Sequence, residues 1–282
     1  MAQGLSREQI ADRLEEAAGL LEAQGANRFR VRAYRTAADT VRHLGEEPGE
    51  ILKRDGFEGL EKLPGIGDRL ARAIDEMSYT GRWAQLERMR GEAEPEELFQ
   101  AIPGIGPQTA RDIHAALHVD TLEALEIAAH DGRLEEVSGI GPRKAAAIRA
   151  SLSAMLARRS RRGEEDHAEP PVSLLLEVDR RYRHEAEAGK LRMIAPRRFN
   201  PSGEAWLPIL HEDRDGWDFT ALFSNTALAH DLGRTHDWVV IYFAQIGGRE
   251  HTRTVVTETH GPLEGHRVVR GREAECRAHY FD

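Results

Sequence analysis

The sequence predicts a two-domain α+β protein: an all-α N-terminal half, then a mainly antiparallel β domain carrying one or two helices. Three observations carry this expectation. Residues 1 to about 160 run as helix after helix with brief glycine or proline breaks, and strand-like runs begin only after Pro170-Pro171. Between them lies ARRSRRGEEDHAEPP, charged and nearly free of apolar residues, as an exposed linker should be. Within the helical half, a Gly-Ile-Gly segment recurs three times. The expected boundaries are 1–80 for a small helical domain with the first repeat, 81–158 for the other two repeats, 159–171 for the linker and 172–282 for the β-rich domain.

The first helix is marked at its start. Ser6-Arg-Glu-Gln9 has the order of a capping box, and Leu5 and Ile10 are spaced for a hydrophobic staple. Ile10, Leu14, Ala17 and Leu21 then recur at helical spacing until Gly25 supplies a stop. The next helix, about 28–44, buries Val31, Tyr34, Ala38 and Val41 and carries Arg28, Arg30, Arg32 and Arg35.

The repeats are LPGIGDRLARAI at 63–74, IPGIGPQTARDI at 102–113 and VSGIGPRKAAAI at 137–148. Each comes after a short helical run, in GFEGLEKL, PEELFQA and DGRLEEV. The first glycine of each (Gly65, Gly104, Gly139) supplies the positive φ of a tight interhelical turn. The second (Gly67, Gly106, Gly141) lets the backbone approach a partner, and the isoleucine between them plugs the core. The helix after the turn opens with unpaired amides and the positive end of its dipole, a ready phosphate site. Arg69, Arg143 and Lys144 add charge there, whereas the middle copy offers Gln108 and Thr109 and so relies more on amides. Amides facing phosphates do not read bases, so such binding is sequence-independent.

The net charge of −9 argues against a polyanion partner until its distribution is considered. All basic residues are arginines except Lys53, Lys62, Lys144 and Lys190, and two groups cluster: 28–35 and 158–162. Local arginine patches on an acidic body are compatible with DNA. No run approaches the roughly 18 apolar residues of a spanning helix, and MAQGLSREQI lacks a signal sequence, so the expectation is a cytoplasmic protein, nucleoid-associated if bacterial, without a membrane partner. Cys276 stands alone, which excludes an internal disulfide and a multi-cysteine zinc site.

NRFRVRAYRTAADTV at 27–41, LPGIGDRLARAIDEM at 63–77, GIGPQTARDIHAALHVDTLEAL at 104–125 and GRLEEVSGIGPRKAAAIRASL to about 152 resemble, in this order, the helix-hairpin-helix N-terminal region of family X DNA polymerases. The resemblance covers roughly the first half of the chain. It implies that residues 1–80 hold the 5′-phosphate of a gapped DNA. Arg30, Tyr34 and Arg69 fall where that family places phosphate-pocket or adjacent stacking residues, and Arg35 is counted with the pocket. It also implies a monovalent cation on the hairpin carbonyls; no other cofactor is expected. Ala73 stands where family lyases carry their Schiff-base lysine, and an alanine cannot be that nucleophile. Bacterial members can lack this lysine and keep the DNA-binding fold.

Beyond the linker, VSLLLEV, LRMIA, WLPIL, DFTALF, WVVIYFAQI, TRTVVTE and HRVVR read as strands, with helices expected at Asp179–Ala188 and Asn225–Leu232. Asp213-Arg214-Asp215 has the spacing of a carboxylate pair but no Gly-Ser before it, and reads as a solvated hairpin loop rather than a polymerase palm. Trp206, Trp217 and Trp238 are expected in the sheet core. Seven histidines, from His211 to His279, show no metal-ligand spacing; which metal, if any, they hold is left open. SNTALAH at 224–230 and RVVRGREAEC at 267–276 are the polar segments in which a pocket is sought.

The leading expectation is a non-catalytic, structure-selective DNA-binding protein of DNA repair, gripping nicked, gapped or ended duplex, with a C-terminal domain that recruits a protein partner or senses a ligand. The alternatives are an abasic-site (5′-deoxyribose phosphate) lyase using Lys62 or Lys53, a DNA-processing hydrolase with a catalytic C-terminal domain, and a protein-interaction scaffold.

Overall fold

The computed structural model describes residues 4–91, 96, 99–100, 102–117, 119, 125, 128–156, 169–226, 229–230, 232–245, 248 and 250–281. The chain divides into two compact units, residues 1–165 with 247–249, and residues 166–246 with 250–282. The expected linker lies outside the described residues except for 169–171. The fold class is the predicted one, helical first and antiparallel β second.

In the first unit, α1 (Arg7–Ala23) starts at a complete capping box: the Gln9 amide donates to Ser6 Oγ (3.4 Å) and the Ser6 amide donates to Gln9 Oε1 (2.9 Å). It ends where Gly25 turns left-handed (φ 80°), the Gly25 amide bonding to the Glu22 carbonyl and the Ala26 amide to Leu21. Its apolar stripe packs on that of α2 (Arg28–Arg42), with Ile10, Leu14, Leu21, Val31, Ala38 and Val41 all buried. Helices α3 (Pro48–Asp55), α4 (Phe57–Glu61), α5 (Asp68–Thr80) and α6 (Ala84–Arg90) complete this core. A second core lies around α7 (Pro107–Leu117) and α8 (Pro142–Leu156) and includes Phe99, Ile113, Leu134 and Ile148.

In the second unit six strands form an antiparallel meander in chain order: β1 (Arg192–Ile194), β2 (Leu207–Arg214), β3 (Trp217–Phe223), β4 (Val239–Gln245), β5 (His251–Thr257) and β6 (Arg267–Val269). The segment VSLLLEV, expected as a strand, is instead the start of helix α9 (Val172–Glu187). The Leu174 and Leu175 amides fold back onto the Pro171 carbonyl. Leu175, Val178 and Tyr182 then bury one helical side against the sheet, where Tyr182 meets Phe223 edge-on at 4.8 Å. A second helix, α10 (Glu273–Phe281), begins within the polar segment RVVRGREAEC and continues past its end. Of the helix expected at 225–232, residues 229–230 are helical and 227, 228 and 231 lie outside the described residues.

Asp213 and Arg214 belong to β2, so the loop expected there is shorter: Asp215 and Gly216, both at positive φ (51° and 81°), make a two-residue turn. Trp217 is buried beside Phe243, whereas Trp206 and Trp238 are only half-buried. Among the described residues no helix is long and apolar enough to cross a membrane, and no group of His, Cys, Asp and Glu is arranged to hold a metal ion.

Candidate nucleic-acid interface

The three Gly-Ile-Gly turns are built alike. The Ile66, Ile105 and Ile140 amides donate to the carbonyls of Leu63, Ile102 and Val137 at 3.1, 3.1 and 3.0 Å. One turn later, the Ala71, Ala110 and Ala145 amides donate to the carbonyls of Gly67, Gly106 and Gly141 at 2.9, 2.9 and 3.0 Å. Gly65, Gly104 and Gly139 have φ of 73°, 92° and 79°, conformations that a side chain disfavours. Each isoleucine is buried and each second glycine is exposed, with no atom within 4 Å of where its Cβ would be. A bulky anion therefore has clear access to the start of α5, α7 and α8.

The helix entering each turn differs. In the first repeat it is α4, and in the third it is a short 3-10 turn at Arg133–Glu136. In the second, PEELFQA lies mostly outside the described residues. The helix leaving the turn differs at its first residue. Pro107 and Pro142 open α7 and α8, where a missing N–H costs nothing, whereas Asp68 opens α5. Asp68 is held by Arg72 through two bonds of 2.8 Å, and Arg72 also lies over the Phe57 ring. The Asp68 charge at the anion-binding end of the helix is thereby neutralised.

The side chains singled out from sequence divide into three places. Arg30, Tyr34 and Arg69 converge on Gln85 of α6, a residue the sequence reading did not name. With its amide oxygen turned toward them, Gln85 accepts from Tyr34 Oη (2.9 Å), Arg69 Nη2 (3.2 Å) and Arg30 Nη2 (3.3 Å). Trp83 stacks on Tyr34 with centroids 5.9 Å apart. Two guanidinium groups thus meet at one neutral oxygen beside α5, with Arg30 buried. Arg35 is engaged elsewhere, by Glu22 at 2.7 Å and Glu15 at 3.5 Å, and its bond to Glu22 raises its pKa. In the second and third hairpins, Lys144 Nζ donates to Thr109 Oγ1 at 2.9 Å. Gln108 bonds within its own helix to Asp112 and Arg111, and Arg143 is exposed.

Phe29, also missed, is 67% exposed at the first turn of α2, with the Arg28 guanidinium over its ring. The helical period that buries Val31, Tyr34, Ala38 and Val41 leaves Phe29 off that face, which is the signal that could have found it. Ala73 is buried among Leu70, Ile74 and Met77, while Lys62 and Lys53 are exposed, the latter paired with Glu50.

The turn of the first hairpin is fixed to α2. Thr40 Oγ1 donates to the Pro64 carbonyl (2.8 Å), and a Cβ on Gly65 would lie 2.6 Å from Thr36 Cγ2. The carbonyls of Leu63, Ile102 and Val137 each accept the amide of the isoleucine three residues on.

Residues 6–83 match the family model of the helix-hairpin-helix domain, and residues 96–154 match that of the SAM-like helix-hairpin-helix tandem. The N-terminal half thus carries a helix-hairpin-helix region. Such domains indicate nonspecific DNA binding, in agreement with turns that present backbone rather than base-reading side chains.

Proposed function

We propose that this protein grips the phosphate backbone of gapped, nicked or ended duplex during DNA repair, and does so without catalysing a reaction on it. The observation that carries the reading is the threefold turn, with one hydrogen-bond pattern, three buried isoleucines and three open second glycines. Residues 81–158 would hold the duplex through Gly104, Gly106, Gln108, Thr109, Gly139, Gly141, Arg143 and Lys144. Residues 1–80 would hold a terminal 5′-phosphate near Gly65, Gly67 and Arg69, with Arg30 and Tyr34 behind it. The convergence of Arg30 and Arg69 on Gln85 supports that second role, because clustered guanidinium groups favour a doubly charged phosphate. The order of the segments further supports a relationship to the N-terminal region of family X DNA polymerases.

A buried methyl group at Ala73 favours holding over lyase chemistry. A gapped-DNA assay with and without magnesium tests the proposal. The expected result is salt-dependent binding, tighter for a 5′-phosphorylated gap than for intact duplex, with no cleavage. Covalent trapping by borohydride on an abasic substrate, or magnesium-dependent cutting, would overturn the non-catalytic part. Equal affinity for gap and intact duplex would overturn the structural selectivity.

A further inference from the structure

We propose that Asp68 is a specificity-determining residue of the first hairpin: it keeps the internal phosphodiesters of intact duplex off the start of α5 and leaves them to the second and third hairpins. The inference rests on the DNA-gripping function proposed above. Position by position, the three helices open differently: Asp68-Arg69-Leu70 in α5, Pro107-Gln108-Thr109 in α7 and Pro142-Arg143-Lys144 in α8. In α7 and α8 the first two residues are exposed and none of the three is acidic. In α5 the third position is the buried Leu70, Arg69 is turned to Gln85 of α6, and the first position is an acid.

An acid in a first turn by itself stabilises the helix. Here it is also fixed in place. Both Asp68 oxygens accept from Arg72 at 2.8 Å, the two side chains are only 26% and 19% exposed, and Arg72 sits over the ring of Phe57, a buried residue of α4. The protein's own carboxylate thus occupies the helix end to which the dipole draws anions, and the nearest guanidinium is engaged by it. Gly67 leaves the turn open, so a phosphate can reach it but gains little there. An internal phosphodiester carries chain on both sides and has to pass the start of the helix, Asp68 included. A terminal phosphate carries chain on one side only. It can enter from the α6 side, to which Arg69 is turned, whereas the pair of Asp68 and Arg72 lies toward α4.

The test measures the affinity of the full chain for intact duplex at several salt concentrations. Asp68→Asn removes the charge and releases Arg72, and Asp68→Pro gives α5 the first residue of α7 and α8. Gly67 already has the extended backbone that precedes a proline (φ −86°, ψ 177°), and the first helical position needs no N–H, so thermal stability should hold. Both variants should bind intact duplex about twofold to fivefold tighter, the range for one anion at a helix N-terminus, with a salt slope steeper by about 1. Arg72→Met, which bares the carboxylate, should bind no tighter than the wild-type protein. Unchanged or weaker duplex binding by both folded Asp68 variants would overturn the assignment. The function proposed above is judged on the wild-type protein alone, by its preference for a 5′-phosphorylated gap over intact duplex, so the two failures are distinguishable. A flat titration of wild type and variants alike would overturn both.

Discussion

Lys144, on the first turn of α8, donates to the hydroxyl of Thr109, on the first turn of α7. Two helix N-termini that each attract an anion are therefore within reach of a single ammonium group. If that ammonium also meets a phosphate, Lys144→Met should lower duplex affinity and reduce the slope of log affinity against log salt by about 1. Binding titrations at several salt concentrations measure both. Thr109→Val, which removes only the hydroxyl, should keep most of the slope.

The glycines of each hairpin should separate folding from binding. Gly106 and Gly141 have open space at the Cβ position and no positive φ, so Gly141→Val should change thermal stability little and weaken DNA binding severalfold. Gly139 sits at φ 79°, so Gly139→Ala should cost about 1 kcal/mol of stability. If bulky residues at Gly106 and Gly141 left DNA affinity unchanged, the backbone-contact account would fail.

The arginine cluster on Gln85 makes a prediction about DNA ends. Arg69→Ala should reduce the preference for a 5′-phosphorylated over an unphosphorylated gap, by about 1.5–3 kcal/mol if a charge-assisted bond is lost. Arg35→Ala, whose side chain is held by Glu22 and Glu15, should not change that preference. Parallel titrations on the two gaps provide the comparison.

In the C-terminal unit, Asp179 of α9 is fully buried and takes a two-pronged bond from Arg267 at 2.6 and 3.0 Å. Arg267, on the edge strand β6, also bonds Asp237, in the connection before β4, and the Val255 carbonyl of neighbouring β5, so it joins α9 to this side of the sheet. Asp179→Asn should destabilise this unit by about 3 kcal/mol, the low end for breaking a buried pair, because Asp237 still faces the guanidinium. Denaturant unfolding measures the change.

Tyr182 supplies a pH dependence. Its hydroxyl donates to the Pro208 carbonyl and accepts from the Phe223 amide, and burial raises its pKa above the ordinary 10.0. The fold favours the neutral phenol. Its contribution is thus fully present below the unfolded pKa and is lost as pH rises from there toward the folded pKa, by up to about 1.4 kcal/mol per pH unit. Tyr182→Phe should therefore be clearly destabilising near about pH 8 and less so near about pH 11, where the wild-type protein has lost part of that advantage. Unfolding curves of both proteins at the two pH values check the sign.

The N-terminal half was legible because its signals are local. Ser6 and Gln9, Gly25, and the Gly-Ile-Gly turns each act within a few residues, and the buried stripes of α1 and α2 keep to the helical period. The segment 172–178 was not legible as helix. An apolar run of that length fits strand and helix alike, and Asp179, which anchors the helix, meets Arg267 only in the folded chain. Gln85 was hidden for the same reason, since its three donors come from α2 and α5.

The contacts of Thr36 and Thr40 with the first hairpin turn bear on how quickly that site can act. Because Gly65 and Pro64 are already seated on the helix that carries Arg30, the ordering entropy of the site is met during folding rather than on encounter with DNA. A rigid receptor of this kind needs no rearrangement before capture, so its association should not be slowed by a conformational step and its selectivity should lie in residence time. Under the proposed function, such kinetics would let the protein sample much intact duplex before it meets a break.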